Sequence, residues 1–439
     1  MNRRICLAVL LCAALLLTGC GLRTVEQMYS PPKRSDDYYH LQSAIDAAMN
    51  DLQYSAPLVG ENRQVVQMAD LDGDGNNEYL LFAKGNFEKP VQILIFRKVQ
   101  EAYQLIETIE SNGTAFDQVE YVDIDDQPGL ELVVGRQVSD QVLRNVSVYT
   151  FAGGEAEQLM SAGYSKFLSC DLDRDGRSEL MVIHPGDTDT DNGIATLYRF
   201  ESGSIERSAE TDLSEPAASI KRIMVSRLAG NVSAVYVASA VDESAIITDI
   251  FALKNGKFTN ISFSNESGTS VQTLRNYYVY ADDIDDDGVF ELPRLISMKS
   301  VEDSVSREKQ YLIHWFAMDI EGREVGKLYS FHNYLGGWYL ELDSAWAERV
   351  SVEQSGNSYS FYVWDEDYSE AQHVFSVYAL TGSNRDELAV ENNRFILHRA
   401  EGVIYAAKLE AASAAFGMTQ EDLINSFHLI QLDWKTGET

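Results

Sequence analysis

Four short acidic runs hold most of the chemistry available to this 439-residue chain. They are Asp70-Leu71-Asp72-Gly73-Asp74-Gly75-Asn76-Asn77-Glu78, Asp123-Ile124-Asp125-Asp126-Gln127-Pro128-Gly129-Leu130-Glu131, Asp171-Leu172-Asp173-Arg174-Asp175-Gly176-Arg177-Ser178-Glu179 and Asp283-Ile284-Asp285-Asp286-Asp287-Gly288-Val289-Phe290-Glu291. Several carboxylates inside nine residues repel one another unless a cation neutralises them. Hard divalent cations take all-oxygen ligand sets, and calcium tolerates irregular ones better than magnesium. The plainer alternative is that Asp-Gly pairs are simply good hairpin turns in an acidic protein. The chain is acidic throughout, with 35 Lys+Arg against 68 Asp+Glu and a net charge of −33. That balance argues against nucleic acid as a partner, because phosphate would repel it and no basic cluster offsets the repulsion.

Other reactive patterns are missing from the sequence. The seven His are scattered at no metal-ligand spacing, and there is no G-x-S-x-G elbow, H-E-x-x-H, phosphate loop or Cys/His signature, so no catalytic residue is assigned. Cys170 ends the apolar run Phe167-Leu168-Ser169-Cys170 and reads as a packed thiol.

The acidic runs belong to an internal repeat. Their first residues are separated by 53, 48 and 112 positions, and the last gap is two periods of 56. A degenerate copy is therefore expected near 227, where Arg227-Leu228-Ala229-Gly230-Asn231 keeps a turn and loses the carboxylates. A second marker follows each copy: Phe96, Phe151, Phe200, Phe251 and Phe316. Around the first run, 65–68, 79–82, 91–96 and 103–106 read as four short strands joined by hairpin turns. Such a unit cannot bury both faces alone. The expected fold is mainly β, with about five four-stranded blades stacked radially as a β-propeller over 54–330.

On these residues the repeats resemble the FG-GAP or VCBS-type repeats of integrin-α-like β-propellers, in which a D-x-D-x-D-G-x-x-D loop between the first two strands of a blade binds calcium. The resemblance implies a first site of Asp70, Asp72, Asp74, the Asn76 carbonyl and Glu78. It implies a second of Asp171, Asp173, Asp175, the Arg177 carbonyl and Glu179, and a third of Asp283, Asp285, Asp287, the Val289 carbonyl and Glu291. Asp123, Asp125 and Glu131 form a weaker match, because Gln127-Pro128 replaces Asp-Gly. The expected role of the metal is structural, since roughly millimolar calcium at sites of extracellular affinity contributes only ~0.4–1.4 kcal/mol each.

The ends of the chain read differently. Arg3-Arg4 and the apolar run 5–17 form a signal peptide over 1–19. Leu17-Thr18-Gly19-Cys20 resembles the lipobox of bacterial lipoproteins, which makes Cys20 the lipidated residue and places the body on the outer face of the cytoplasmic membrane. With Cys6 and Cys12 removed and Cys20 acylated, no intramolecular disulfide is available. Residues 20–37 read as a tether and 38–53 as an amphipathic helix, with Leu41, Ile45, Ala48 and Leu52 on one face. All five Trp fall after 314 and no Pro follows Pro293, which suggests a separate C-terminal α+β domain over 333–436. Its expected strands are 338–342, 359–364, 373–380, 394–398 and 403–409, followed by a helix capped by Thr419 with Asp422 and carrying Leu423, Phe427 and Ile430. The aromatics Trp338, Tyr339, Trp346, Tyr362 and Trp364 read as core rather than as a ligand platform.

Together these features point to a membrane-anchored, non-enzymatic binding module for a protein or cell-wall ligand. One alternative is an envelope hydrolase or lyase acting on polysaccharide or lipid. Another is a calcium-dependent sensory or assembly component.

Overall fold

The computed structural model describes residues 36–138, 143–188, 190–277, 279–301 and 310–430. The expected signal peptide, Cys20 and nearly all of the tether lie outside the described residues. The opening helix is Asp36–Ala48, so it takes two residues assigned to the tether and stops before Leu52–Tyr54, which is a short strand.

The chain is mainly β, and its strands form six antiparallel sheets among the described residues. The first contains Val66–Ala69, Glu78–Gly85, Val91–Val99 and Ala102–Ser111, with Leu52–Tyr54 in line beside Val66–Ala69. The second is Ala115–Val122, Glu131–Gln137, Arg144–Thr150 and Glu157–Tyr164; the third is Lys166–Cys170, Glu179–His184, Ile194–Glu201 and Ser204–Asp212. The fourth is Ile220–Leu228, Val232–Ala240, Ile246–Lys254 and Lys257–Asn260. Leu292–Ser297, Tyr311–Met318, Glu324–Asn333, Trp338–Leu342 and Phe427–Leu429 make the fifth. In the sixth, the order is Val350–Ser355, Ser358–Trp364, Ala371–Thr381, Val403–Leu409 and Phe395–Ala400.

Alternation along each second strand explains why these runs are apolar on both faces. Leu80 and Phe82 pack on the second sheet, where the Phe82 and Phe116 rings meet edge to face at 5.0 Å, while Leu81 and Ala83 pack on Ile45 of the helix. In the second sheet Leu132 and Val134 face the first sheet and Val133 faces the third. Leu180 and Val182 then face back, and Met181 and Ile183 face Val235 and Val237 of the fourth sheet. Tyr236 faces Leu292 and Phe316 of the fifth, whose Phe331 in turn meets Phe361 of the sixth at 5.4 Å. Consecutive sheets thus stack in chain order, and the free face of the first sheet is covered by the helix. Phe96, Phe151, Phe200 and Phe251 fall on, or one residue past, the strand after the one that follows the turn, and Phe316 falls on Tyr311–Met318, which holds the same place after Leu292–Ser297.

The C-terminal expectation needs correcting. The boundary at 330–333 passes through the fifth sheet, because Glu324–Asn333 is hydrogen-bonded to Trp338–Leu342. The remaining expected strands build a sixth sheet with one strand missed by the sequence reading, Val350–Ser355. The Thr419–Asp422 capping box is present, but its helix covers only Gln420–Asn425. Phe427 lies in a strand that pairs with Trp338–Leu342. Leu423, Phe427 and Ile430 are all buried, although they do not share a helix. Trp338, Tyr339, Trp346 and Trp364 are buried as well, which fits their reading as core.

Candidate metal centres

Each acidic run links the first two strands of its unit, or in the fifth sheet an isolated bridge, Asp282 with Glu291, to the strand that follows. The turns demand left-handed backbone at two places. Gly73 and Gly75, Arg174 and Gly176, and Asp286 and Gly288 supply it at positions four and six. In the run with Gln127-Pro128, Asp126 takes position four, and Gly129 supplies the second left-handed residue one place later. Only glycine suits that place, because a Cβ on Gly129 would lie 2.3 Å from the Leu71 carbonyl oxygen.

The folding of these turns brings the first, third and ninth residues together in all four runs. Ligand oxygens of Asp70, Asp72 and Glu78 lie within 4.8 Å of one another, and so do those of Asp123, Asp125 and Glu131. The same holds for Asp171, Asp173 and Glu179, and for Asp283, Asp285 and Glu291. The fifth-position carboxylates are not part of these groups. Asp74, Asp175 and Asp287 each accept the amide two residues on, from Asn76 at 2.7 Å, Arg177 at 2.9 Å and Val289 at 2.8 Å. Every ninth-position Glu is buried and accepts the amide of the second residue: Leu71 to Glu78 at 3.0 Å, Ile124 to Glu131 at 2.7 Å, Leu172 to Glu179 at 2.8 Å and Ile284 to Glu291 at 3.2 Å.

What faces that Glu from the third strand divides the sites into two kinds. Arg97 pairs with Asp72 and, at 2.9 Å, with Glu78; Arg199 lies 3.2 Å from both Asp173 and Glu179. The corresponding position holds Thr150 in the second sheet, whose hydroxyl donates to Glu131 at 3.2 Å, and Ala317 in the fifth, by continuation of the Leu292–Phe316 register. These opposing residues were not identified from the sequence. The only signal is that both arginines adjoin the Phe marker, as Phe96-Arg97 and Arg199-Phe200. Where no guanidinium stands, burial and then the neighbouring aspartates push the carboxyl up, Glu131 to about 7 and Glu291 to about 8. Burial also raises Glu179, and Arg199 opposes it. Arg97 does not complete the first site, because Asp70 Oδ1 is buried without a hydrogen-bond partner.

The loops also touch one another in a repeating way. The eighth-position amide of one run donates to the first-position carbonyl of the preceding run: Leu130 to Asp70 at 3.1 Å, Ser178 to Asp123 at 2.7 Å and Phe290 to Arg227 at 3.0 Å. The degenerate turn, with Gly230 and Asn231 left-handed, is joined to the third run by Arg174 Nη1 on the Asn231 carbonyl at 2.9 Å. The fourth sheet carries a buried carboxylate elsewhere. Asp249 accepts from the Ser214 amide and hydroxyl, Asn260 Nδ2 and the Ser270 hydroxyl at 2.8, 2.6, 2.8 and 2.5 Å.

Cys170 is buried, and that burial pushes its thiol up, away from nucleophilic use.

No family model matches the sequence, and no curated protein matches it. Among solved structures, the rhamnogalacturonan lyase YesW aligns at 11% identity over 73% of this chain and 72% of its own, with a TM-score of 0.32. A rhamnogalacturonan lyase of Bacillus licheniformis aligns at 12% identity over 73% and 72%, with a TM-score of 0.29. A Lactobacillus plantarum protein aligns at 10% identity over 72% and 85%, with a TM-score of 0.27. Superpositions of this quality assign neither a fold nor an activity.

Proposed function

We propose that this chain is a lipid-anchored protein of the bacterial envelope whose sheets form an FG-GAP-like β-propeller, stiffened by calcium at its linked acidic loops, and that it works as a non-enzymatic binding module for a protein or cell-wall ligand. The observation that carries the calcium reading is the recurrence of one three-carboxylate group at the same place in four sheets, with one loop hydrogen-bonded to the next. The donor chemistry suits the ion: carboxylate oxygens alone, one of them buried without a partner in the first site. The chain-order stacking of the sheets supports radial packing, with the helix Asp36–Ala48 lying where the ring would close.

Calcium would be held first by Asp123, Asp125 and Glu131 and by Asp283, Asp285 and Glu291, where no guanidinium competes. The Asp70 and Asp171 sites come second. This proposed ranking differs from the expectation of a weaker match at the Gln127-Pro128 loop, and it is supported by Gly129, which supplies the second left-handed residue of that turn. The carbonyls of Asn76, Arg177 and Val289 complete the proposed sets. Thermal unfolding of the full chain in EGTA, calcium or magnesium tests this. A midpoint that rises with calcium and not with magnesium is expected, and indifference to calcium overturns it.

A further inference from the structure

Between the first and second sheets, the apolar interface built by Phe82, Phe116 and Val134 continues into a polar cleft of about 340 Å³. Its lining includes Lys89, Ser111, Asn112, Arg136, Asn145 and Gln158. Arg136 and Asn145 face each other across adjacent strands. From Asn145 the cleft runs to Tyr149, four residues along the same strand, which is about 13 Å.

Arg136 is the unusual member. It is only 8% exposed, yet no carboxylate pairs with it among the described residues. Its Nη2 donates to neutral partners, Asn145 Oδ1 at 3.0 Å and Ser147 Oγ at 2.7 Å, and its Nε is buried without a partner. A buried guanidinium with no counter-charge is costly to keep ionised in a poorly solvated site. In a chain of net charge −33, a carboxylate was the easiest partner to supply, and none was supplied. Asn145 adds to the bias. Its carboxamide oxygen already accepts from Arg136, Ser147 and Ser161, which leaves the NH₂ as its free group. With Lys89 the cleft therefore presents donors and positive charge, offset by the single carboxylate of Glu110, which accepts from Gln92 at 3.4 Å.

We infer that this cleft binds the carboxylate of an acidic sugar, with the Arg136 guanidinium and the Lys89 ammonium facing the carboxylate and Ser111, Asn112 and Gln158 meeting ring hydroxyls. Nη2 gives both of its hydrogens to Asn145 and Ser147, so Nη1 is the guanidinium group left to make a charge-assisted hydrogen bond to the carboxylate. Neutral amides and a hydroxyl spread along an elongated cleft suit a polyhydroxylated ring better than the single side chain of an acidic peptide. The inference does not rest on the calcium reading.

The test is calorimetric titration of the full chain in EGTA, so that no sugar is bridged through calcium, with glucuronate and galacturonate, with glucose and galactose, and with a glutamate-rich peptide. The uronates are expected to bind at least about tenfold more tightly than the neutral sugars, the value of one charge-assisted pair. Arg136→Lys, which keeps the charge and loses the planar guanidinium that places Nη1, should weaken uronate binding about tenfold. Lys89→Ala, at an exposed position, should weaken it several-fold with an unchanged unfolding midpoint. No uronate binding, equal binding of neutral sugars, affinity unchanged in both variants, or tighter binding of the peptide would each overturn the inference.

Discussion

Arg97 Nε donates to Glu78 Oε1 at 2.9 Å from the position that Thr150 holds opposite Glu131. One substitution on a third strand thus decides whether the buried ninth-position carboxylate already has a cation. A divalent ion entering beside a fixed guanidinium meets like-charge repulsion, which is severe at short range and low dielectric.

The pair of substitutions Asp125→Asn and Asp285→Asn is expected to remove most of the calcium-induced rise in unfolding midpoint, whereas Asp72→Asn with Asp173→Asn removes less. Conversely, Arg97→Ala with Arg199→Ala should increase the number of calcium ions bound per chain at fixed free calcium, measured by equilibrium dialysis. Equal losses from the two aspartate pairs would show that the arginines do not rank the sites.

Without calcium, stability should fall as pH rises. Folded Glu131 and Glu291 titrate near about 7 and about 8, while unfolded glutamates titrate near about 4.3. The folded chain therefore binds more protons between these values. The stabilisation is complete below about pH 4 and disappears as pH rises through the folded values. Urea unfolding in EGTA from pH 5 to 9 measures the slope, and Glu131→Gln with Glu291→Gln should flatten it. Calcium favours the ionised carboxylates and should also flatten it.

Ile45 is 3% exposed and is the buried residue of the helix that covers Leu81, Ala83, Leu94 and Phe96. Ile45→Ala should cost about 2–4 kcal/mol in urea unfolding, as for other large-to-small core changes. The Lys98–Asp37 pair that also ties the helix down is exposed, so Asp37→Asn should change little.

Asp249 collects four donors in a fully buried site. Asp249→Ala removes the acceptor shared by all four, leaving Asn260 Nδ2 only the Asp212 carbonyl, and should destabilise by roughly 3–5 kcal/mol. Asp249→Asn turns an NH₂ toward donors and should fall between wild type and Asp249→Ala in thermal unfolding, without altering the calcium response.

Much of the middle of the chain was legible because its signals are local. A run such as Tyr79-Leu80-Leu81-Phe82 is apolar on both faces of one strand, and the Asp-rich turns fix where strands begin. Groups that depend on strand register were not legible: Arg97 lies 19 residues from Glu78 and Arg199 lies 20 from Glu179. In the same way, Leu423 and Phe427 stand four residues apart, as on a helix, yet one lies on the capped helix and the other on a strand of the fifth sheet. Burial set their apolar character, and burial alone does not specify the element. In the Gln127-Pro128 loop the shifted turn was not legible from the motif, since Gly129 performs one residue later the turn that glycine performs elsewhere.

The pairing of Phe427–Leu429 with Trp338–Leu342 sets a timetable for biosynthesis. Five sheets can close as each leaves the ribosome, because their strands are consecutive in the chain. The edge of Trp338–Leu342 must instead wait through the making of the whole sixth sheet before its last partner arrives. During that interval an apolar strand edge, with Trp338 and Leu340 beside it, is open to pairing with another nascent copy. A chain cut just short of Phe427 would leave that edge open permanently.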